Sequence, residues 1–294
     1  MWDIIAKEIH KRIYSTVYDY KTTIFLCGAG TEVPHSIRRK IDKLLTSSQY
    51  SFWYELFYPE DLFQELLYGH EHQDLITLEN VLAEGVDVIV LVIESYGSVA
   101  ELGAFASNDK LRKKLLCVVD KKYKKTKSFI NYGPLRLLKD KREGYIVYSD
   151  FKNITKENEF EKIRKGINKI KRNTKKKSPA VTNVIQAHHF ILASIYLLEP
   201  ISKSRLISLV KFASGIAEEK ATAITTGALS ILSKKKEIYL QPKGFCLTPK
   251  GMYHFKSLGR RGWTRKVYKV TDLDYIRVII LNKELRGKNY IKYV

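Results

Sequence analysis

Among the acidic residues of this 294-residue chain, Glu101 has the neighbours that chemistry at a sugar carbon asks for. It stands in Gly97-Ser98-Val99-Ala100-Glu101-Leu102-Gly103, directly behind the apolar, β-branched run 86–93. Such a run reads as a central parallel strand covered on both faces. Glu94-Ser95-Tyr96-Gly97 interrupts it, Gly97 allows a sharp turn, and Ser98 opens a helix. A carboxylate at that turn lies on the edge where open α/β sheets bind ligands, outside the carboxyl ends of the strands. Two roles fit Glu101. Ser98-x-x-Glu101 has the spacing of a capping box, in which the Ser hydroxyl caps the helix and the Glu reaches back to the Ser98 N–H. Alternatively the carboxylate faces the cleft and acts at C1′ of a ribose, bonding to it or stabilising an oxocarbenium-like centre.

The elements that must position this turn alternate along residues 2–150. An amphipathic helix over 2–20, with Ile4, Ile5, Ile9, Ile13 and Val17 on one side, is expected before the sheet. Residues 22–27 form the first strand, ending in Gly28-Ala29-Gly30. Those small residues allow close approach of a phosphate or sugar, and a plain strand-to-helix turn is the alternative. A helix over 34–47 follows, then a second strand over 55–58 with Pro59-Glu60-Asp61 as its exit turn. Asp61 is expected to cap a helix with Leu62, Leu66 and Leu67 inward. Glu60 either faces the same cleft as Glu101 or is a first-turn acid favoured by the helix dipole. His70-Glu71-His72 has no further placed ligand and reads as a polar loop, so no metal is expected.

A helix over 75–85 leads into the central strand, and Asp87 lies at the end away from the cleft. Residues 115–119 and 145–148 are the fourth and fifth strands. Between them, 121–127 holds five lysines, a solvated loop or a guide for an anionic ligand or DNA. Asn131-Tyr132 offers an amide and a phenol over the sugar or base. This alternation predicts an α/β, doubly wound, flavodoxin-like parallel sheet.

Charge divides the chain. Residues 1–150 hold 21 Lys+Arg against 21 Asp+Glu, while residues 151–294 hold 31 against 10 and carry the whole net +21. A neutral half joined to a strongly basic half suggests a small-molecule or catalytic unit joined to a polyanion binder. Residues 160–172 read as a basic helix and KRNTKKKSP, 171–179, as a linker, which sets expected domains of 1–174 and 175–294. Beyond it come helices over 183–198, 203–213 and 217–232, then a hairpin of 238–240 and 245–247. Thr248-Pro249-Lys250-Gly251 opens one more helix. This is the order of a smaller winged-helix domain, with a helical packing domain as the alternative.

Lys234, Lys235 and Lys236, and Arg260, Arg261, Arg265 and Lys266, are expected at phosphates, with the aromatic tail stacking on bases. His188-His189 lies in an apolar helix and reads as structural. Cys27 and Cys117 stand in apolar strands and read as buried thiols rather than disulfide partners; Cys246 is far from both. The longest fully apolar run, 88–93, is too short for a bilayer and no signal peptide opens the chain. A cytoplasmic protein with no membrane contact is expected.

Gly97-Ser98-x-x-Glu101-Leu102-Gly103-x-x-Ala106 resembles the GT-x-x-E-[LI]-G-x-A segment of the nucleoside deoxyribosyltransferase superfamily, in which the Glu attacks the anomeric carbon. TIFLCG (23–28), FYPEDLF (57–63), LENVLAEGVDVI (78–89), AELGAF (100–105) and SFINYGPLRLL (128–138), in this order and spacing, resemble the effector proteins of type II retrons. Those effectors join a deoxyribosyltransferase-like N-glycosidase domain to a winged-helix domain.

The resemblance implies a phage-defence toxin that cleaves the N-glycosidic bond of NAD. It also implies restraint by the retron's reverse transcriptase and its multicopy single-stranded DNA (msDNA). NAD is then substrate, and no resident cofactor is expected. Glu101 is the implied catalytic residue, with Gly28, Ala29, Gly30, Glu60, Ser95, Ser98, Asn131 and Tyr132 against the substrate. Ser98 is expected at the ribose hydroxyls. Superfamily members often complete their sites across a dimer, so self-association of the first domain is expected. Deoxyribosyltransferases carry an Asp in the loop before the nucleophile, whereas this chain has Glu94-Ser95-Tyr96-Gly97. A departing nucleoside base benefits from protonation, but nicotinamide leaves NAD as a neutral molecule from a cation and one carboxylate suffices. Two alternatives stand beside NAD cleavage. One is an N-glycosidase or transferase acting on nucleosides, nucleotides or nucleic acid. The other is a non-enzymatic DNA-binding regulator with a nucleotide-sensing domain.

Overall fold

A computed structural model describes residues 2–16, 22–30, 33–51, 53–60, 83, 85–173, 180–258, 260–261, 265–266 and 269–290. They form two compact units, one from residues within 22–60 and 83–173, the other from residues within 2–16 and 180–290. Among the described residues no helix is long and apolar enough to cross a membrane.

The chain opens with α1 (Trp2–Glu8), which runs on as a π-helical segment, Ile9–Tyr14. The expectation that this helix belongs with the sheet is corrected: it is part of the second unit. Ile5, Ile9 and Ile13 are fully buried there, whereas Ile4 is exposed. Tyr14 meets Phe190 edge-on at 5.8 Å, and Arg12 pairs with Asp272 at 3.1 Å while lying over the Tyr275 ring. Amphipathic spacing shows that a face is buried but does not say against what.

The first unit is built on β1 (Thr22–Cys27), β2 (Tyr54–Phe57), β3 (Val88–Val92), β4 (Leu115–Asp120) and β5 (Tyr145–Ser149). All pairs are parallel, in the order β2-β1-β3-β4-β5, with Ile24 opposite Val88 and Leu91 opposite Cys117. That is the doubly wound, flavodoxin-like order, whose direction reverses between β1 and β3. Every residue of the central β3 is buried, which is why its run is continuously apolar.

On one face lie α2 (Ile37–Leu45) and α7 (Glu157–Asn173), whose Ile41, Leu45, Phe160 and Ile163 meet Leu26, Val90 and Val118. On the other lie α3 (Tyr96–Ser107), the short α4 (Asp109–Arg112) and α5 (Phe129–Tyr132), and α6 (Pro134–Lys141), with Phe105, Leu111 and Leu138 buried. The helix expected after Asp61, His70-Glu71-His72 and most of the helix expected over 75–85 lie outside the described residues, as does the linker 174–179.

The second unit continues with α8 (Val184–Leu198), α9 (Lys203–Ser214), α10 (Glu218–Lys234), the antiparallel hairpin β6 (Ile238–Gln241) and β7 (Gly244–Leu247), and α11 (Pro249–Leu258). Between α8 and α9, Ile201 makes an antiparallel bridge to Phe245. A two-stranded pair, β8 (Arg260–Arg261) with β9 (Arg265–Lys266), precedes α12 (Val270–Tyr290). In Thr248-x-x-Gly251, the Thr248 hydroxyl accepts from the Gly251 N–H at 3.1 Å. A Cβ at Gly251 would stand 2.0 Å from the Glu237 carbonyl oxygen, so only glycine fits. Cys27, Cys117 and Cys246 are buried and form no disulfide among the described residues, and burial pushes the Cys117 thiol pKa up.

Candidate active site

The site is built where β1 and β3 end side by side, at the reversal of the strand order. β1 runs out into Gly28, whose φ of +156° suits glycine. A Cβ there would lie 3.1 Å from the Arg38 Cβ and 3.3 Å from a Glu94 oxygen, so the missing side chain lets the turn, α2 and the end of β3 close together. Glu94 binds the three pieces. Its carboxylate accepts from the Ile37 N–H at 2.6 Å, the Arg38 N–H at 3.0 Å and the Ala29 N–H at 3.4 Å. The first two are open donors of the first turn of α2, where an anion is favoured. Ser36 caps the same end by accepting from Arg39 N–H.

Arg38 occupies the middle of this turn and is almost wholly buried. It donates to the Ala29 carbonyl at 3.1 Å and bidentately to Glu60 at 2.5 and 2.7 Å. Burial works against its charge. The Glu60 hydrogen bonds and the charges of Glu60 and Glu101 outweigh that, so its pKa is raised. Glu60 responds in the same sense: burial raises its pKa, but Arg38 holds it below the ordinary carboxylate value. Glu60 is thus the partner of a buried arginine, with its own side chain partly exposed.

The N-terminus of α3 differs from the expected capping box. The helix begins at Tyr96, two residues earlier, and Ser95 is its N-cap. Ser95 Oγ accepts from the Ser98 N–H at 3.2 Å, and Ser98 Oγ accepts from the Ser95 N–H at 3.0 Å. Ser98 Oγ also accepts from the Glu94 N–H and donates to the Ser95 carbonyl, and its side chain is fully buried. Ser98 Oγ thus ties Glu94, Ser95 and the start of α3 together. Gly97 is helical, and the turn falls on Glu94 and Ser95. With the box closed by two serines, Glu101 is not the reciprocal cap. It sits in the second turn, half-buried, with Oε2 enclosed and its charge felt at Arg38.

The remaining expected residues divide. Gly28, Ala29 and Glu60 belong to the turn that gathers around Arg38 and Glu94, and Gly30 follows it; Ser95 caps α3 with Ser98, and the charge of Glu101 is felt at Arg38. Asn131 is engaged elsewhere: its amide donates to the Tyr123 and Thr126 carbonyls at 2.8 and 2.7 Å and closes the lysine loop. Tyr132 is exposed, as are Phe129 and, at 98%, Tyr96, all on segments that leave the carboxyl ends of β3 and β4. Asp87 accepts from the Thr23 N–H and hydroxyl at the opposite end of the sheet.

In the second unit, Lys234 and Lys236 are exposed and Lys235 half-buried at the end of α10, while the side chains of Arg260, Arg261, Arg265 and Lys266 lie outside the described residues. His188 is fully buried, its ring 3.9 Å from that of His189, centroid to centroid. Arg38 and Glu94 were not singled out from sequence. Arg38 carried a signal, because a cation at position 38 shares the inward stripe of Ile41 and Leu45, where a charge needs a partner.

Comparison with known proteins places this architecture. Residues 34–240 match the family described as STM3845 retron effector protein. A retron Ec86 protein of Escherichia coli, named as a putative ribosyltransferase/DNA-binding protein, is 35% identical over 285 residues, which cover 93% of this chain and 88% of the relative. A retron Ec73 protein of the same organism, with the same description, is 38% identical over 120 residues, 40% of this chain and 38% of the relative.

Proposed function

The chain belongs to the retron effector family, and from that premise we propose that its α/β unit is an N-glycosidase that hydrolyses NAD at the bond between ribose C1′ and nicotinamide. The observation that carries this is the position of Glu101: an acid in the second turn of the helix that leaves β3 at the switch-point edge, where Ser95 and Ser98 supply the helix cap. As the C1′–N bond breaks, its electron pair neutralises the pyridinium and nicotinamide departs. The Glu101 carboxylate stabilises the cationic C1′ or bonds to it transiently. Water oxygen then joins C1′ and a proton is released, leaving ADP-ribose. Arg38, Glu60 and Glu94 position the turn around this carboxylate and take no proton. The names of the relatives support glycosyl transfer as the reaction class. The exposed aromatic side chains at this edge support self-association of the unit there.

Incubating the protein with NAD and with a panel of nucleosides, then identifying the released base, tests the substrate. Nicotinamide from NAD alone supports the proposal, and a base released from nucleosides moves the assignment to them. Release of neither favours a non-enzymatic regulator. Unrestrained expression is expected to drain cellular NAD and stop growth.

We further propose that the second unit is a winged-helix module for the retron's msDNA, through which, with the reverse transcriptase, the effector is restrained. Supporting this are the helix–bridge–helix–helix–hairpin order and the three-residue turn between α9 and α10, with Gly215 at φ +69°. α10 is poorly suited to entering a groove. No Lys or Arg lies between Lys220 and Lys234, and residues 223–225 and 227–232 are buried. Binding then reads phosphates and shape rather than base edges. A log–log salt slope of roughly −4 to −5, for about five phosphates, with little preference among sequences, is the expected result.

A further inference from the structure

Beyond the Glu101 turn, the same carboxyl edge of the sheet carries a second feature, where β4 and β5 end. A cleft of about 660 Å³ opens there, lined by Lys40, Asp120, Lys121, Lys122, Asp150 and Lys152 together with Phe151. Two adjacent strands finish alike, in Asp120-Lys121-Lys122 and Asp150-Phe151-Lys152, with Asp120 opposite Ser149 in the ladder. Each Asp accepts from the N–H two residues on, at 3.1 Å, which fixes the direction in which the lysines leave the sheet. Lys121 pairs with Asp150 at 2.7 Å and Lys122 with Asp120 at 3.4 Å. Lys40, reaching in from α2, and Lys152 make no ion pair among the described residues. Four lysines against two carboxylates leave this cleft with two net positive charges. That matches the two negative charges of a nucleotide diphosphate diester.

We propose that this cleft is an anion subsite for the diphosphate of a dinucleotide substrate, with Lys40 and Lys152 as its principal contacts. The proposal rests on the glycosidase reading of Glu101 and extends it to substrate choice. Neighbouring strands are about 4.8 Å apart, so the ends of β4 and β5 lie roughly 5–10 Å along the edge from the end of β3. A ribose held at the switch point can therefore reach the lysines with the phosphates that follow it. The edge then selects a diphosphate-linked substrate over a free nucleoside, which carries no charge to place here. The Lys121 and Lys122 pairs hold the walls. The two lysines without carboxylate partners among the described residues supply charge-assisted hydrogen bonds to phosphate oxygens.

The test uses the full chain and the double variant Lys40→Gln/Lys152→Gln, with Lys40→Arg/Lys152→Arg as the conservative control. Calorimetry with ADP and with inorganic pyrophosphate reads the cleft whether or not any glycosidic bond is cleaved. Both ligands are expected to bind, the Gln variant about tenfold or more weaker and the Arg variant close to the parent. With NAD as substrate, KM is expected to rise by a similar factor while kcat stays unchanged; hydrolysis of nicotinamide riboside is expected to be unaffected. If ADP and pyrophosphate fail to bind, or bind both variants as the parent, the subsite is overturned. NAD cleavage with an unchanged KM in a folded Gln variant also overturns it, while leaving Glu101 in place. Absence of NAD cleavage alongside lysine-dependent ADP binding would overturn the glycosidase reading and keep the subsite.

Discussion

The two units differ in how much of their charge is matched inside. In the α/β unit, charged groups are drawn inward and matched: Arg38 to Glu60, Arg112 to Asp109 and Glu143, Glu159 to the Ser149 hydroxyl. These pairs hold strand ends and helix starts in register around a site. In the second unit, residues 178–294 hold 20 Lys+Arg against 7 Asp+Glu, a surplus that no internal pairing can absorb. The basic residues of 151–173, 8 against 3 acidic, sit with the α/β unit up to the end of α7, so the charge boundary lies later than the half-way count suggests. Inward charges set geometry, and their loss is felt as stability or turnover. Surplus charges set affinity, and their loss is felt as salt dependence.

The strongest way to break this contrast is Glu101→Gln. It is expected to lower NAD hydrolysis on the order of 10³-fold or more, with folding and nucleic-acid binding retained. Equal losses of stability and activity, read by thermal melting beside a nicotinamide assay, would return Glu101 to a structural role. Next is Arg38→Met, which strands Glu60 and releases the Ala29 carbonyl. A loss of about 3 kcal/mol is expected in denaturant unfolding of the α/β unit, with nucleic-acid affinity unchanged below the transition. Simultaneous loss of both would show that the units do not act separately.

Gly251→Ala is the counterpart in the second unit. The added methyl meets the Glu237 carbonyl, and a loss of about 2 kcal/mol is expected there, with turnover of NAD preserved. A smaller effect is expected from Lys234→Ala/Lys235→Ala/Lys236→Ala. The log–log salt slope for duplex or branched nucleic acid should flatten by about 2 to 3, at roughly 0.9 for each phosphate that is no longer neutralised. An unchanged slope would assign phosphate binding to other residues.

The smallest effect concerns acid. Burial raises the Glu237 pKa, but its 2.9 Å pair with His254 more than offsets this and holds it below the ordinary 4.5. A lowered folded-state value contributes stability that is fully present above about pH 4.5 and is lost as pH falls through the lowered value. Glu237→Gln should make the acid limb of the stability profile shallower below pH 4.5, read by denaturant unfolding across the acid range. A steeper limb in the variant would contradict the pairing.

Much of this was legible beforehand because it rests on short-range pattern. The continuous β-branched run became β3, the helices expected over 183–198, 203–213 and 217–232 formed within about two residues of those bounds, Thr248-x-x-Gly251 opened the next helix, and the charge split pointed to two units. The capping box was misplaced by one turn because Ser95 and Ser98 carry the same hydroxyl at spacings that both suit an N-terminus. Backbone path chose between them. Asn131 looked like a ligand-facing amide, yet two carbonyls of its own loop claim it.

Residue order alone determined which stretches become strands and helices, and that an acid follows the central strand. Those outcomes depend on propensities and periodicities confined to a few neighbouring residues. The tertiary structure decided what those signals leave open. It buried Arg38 against Glu60, freed Glu101 from capping, gave Glu94 to the start of α2, and placed α1 with the second unit. It also brought Lys40 to the lysines that end β4 and β5. Each joins residues far apart in the chain, where a side chain's partner is set by packing and strand order rather than by its neighbours in sequence.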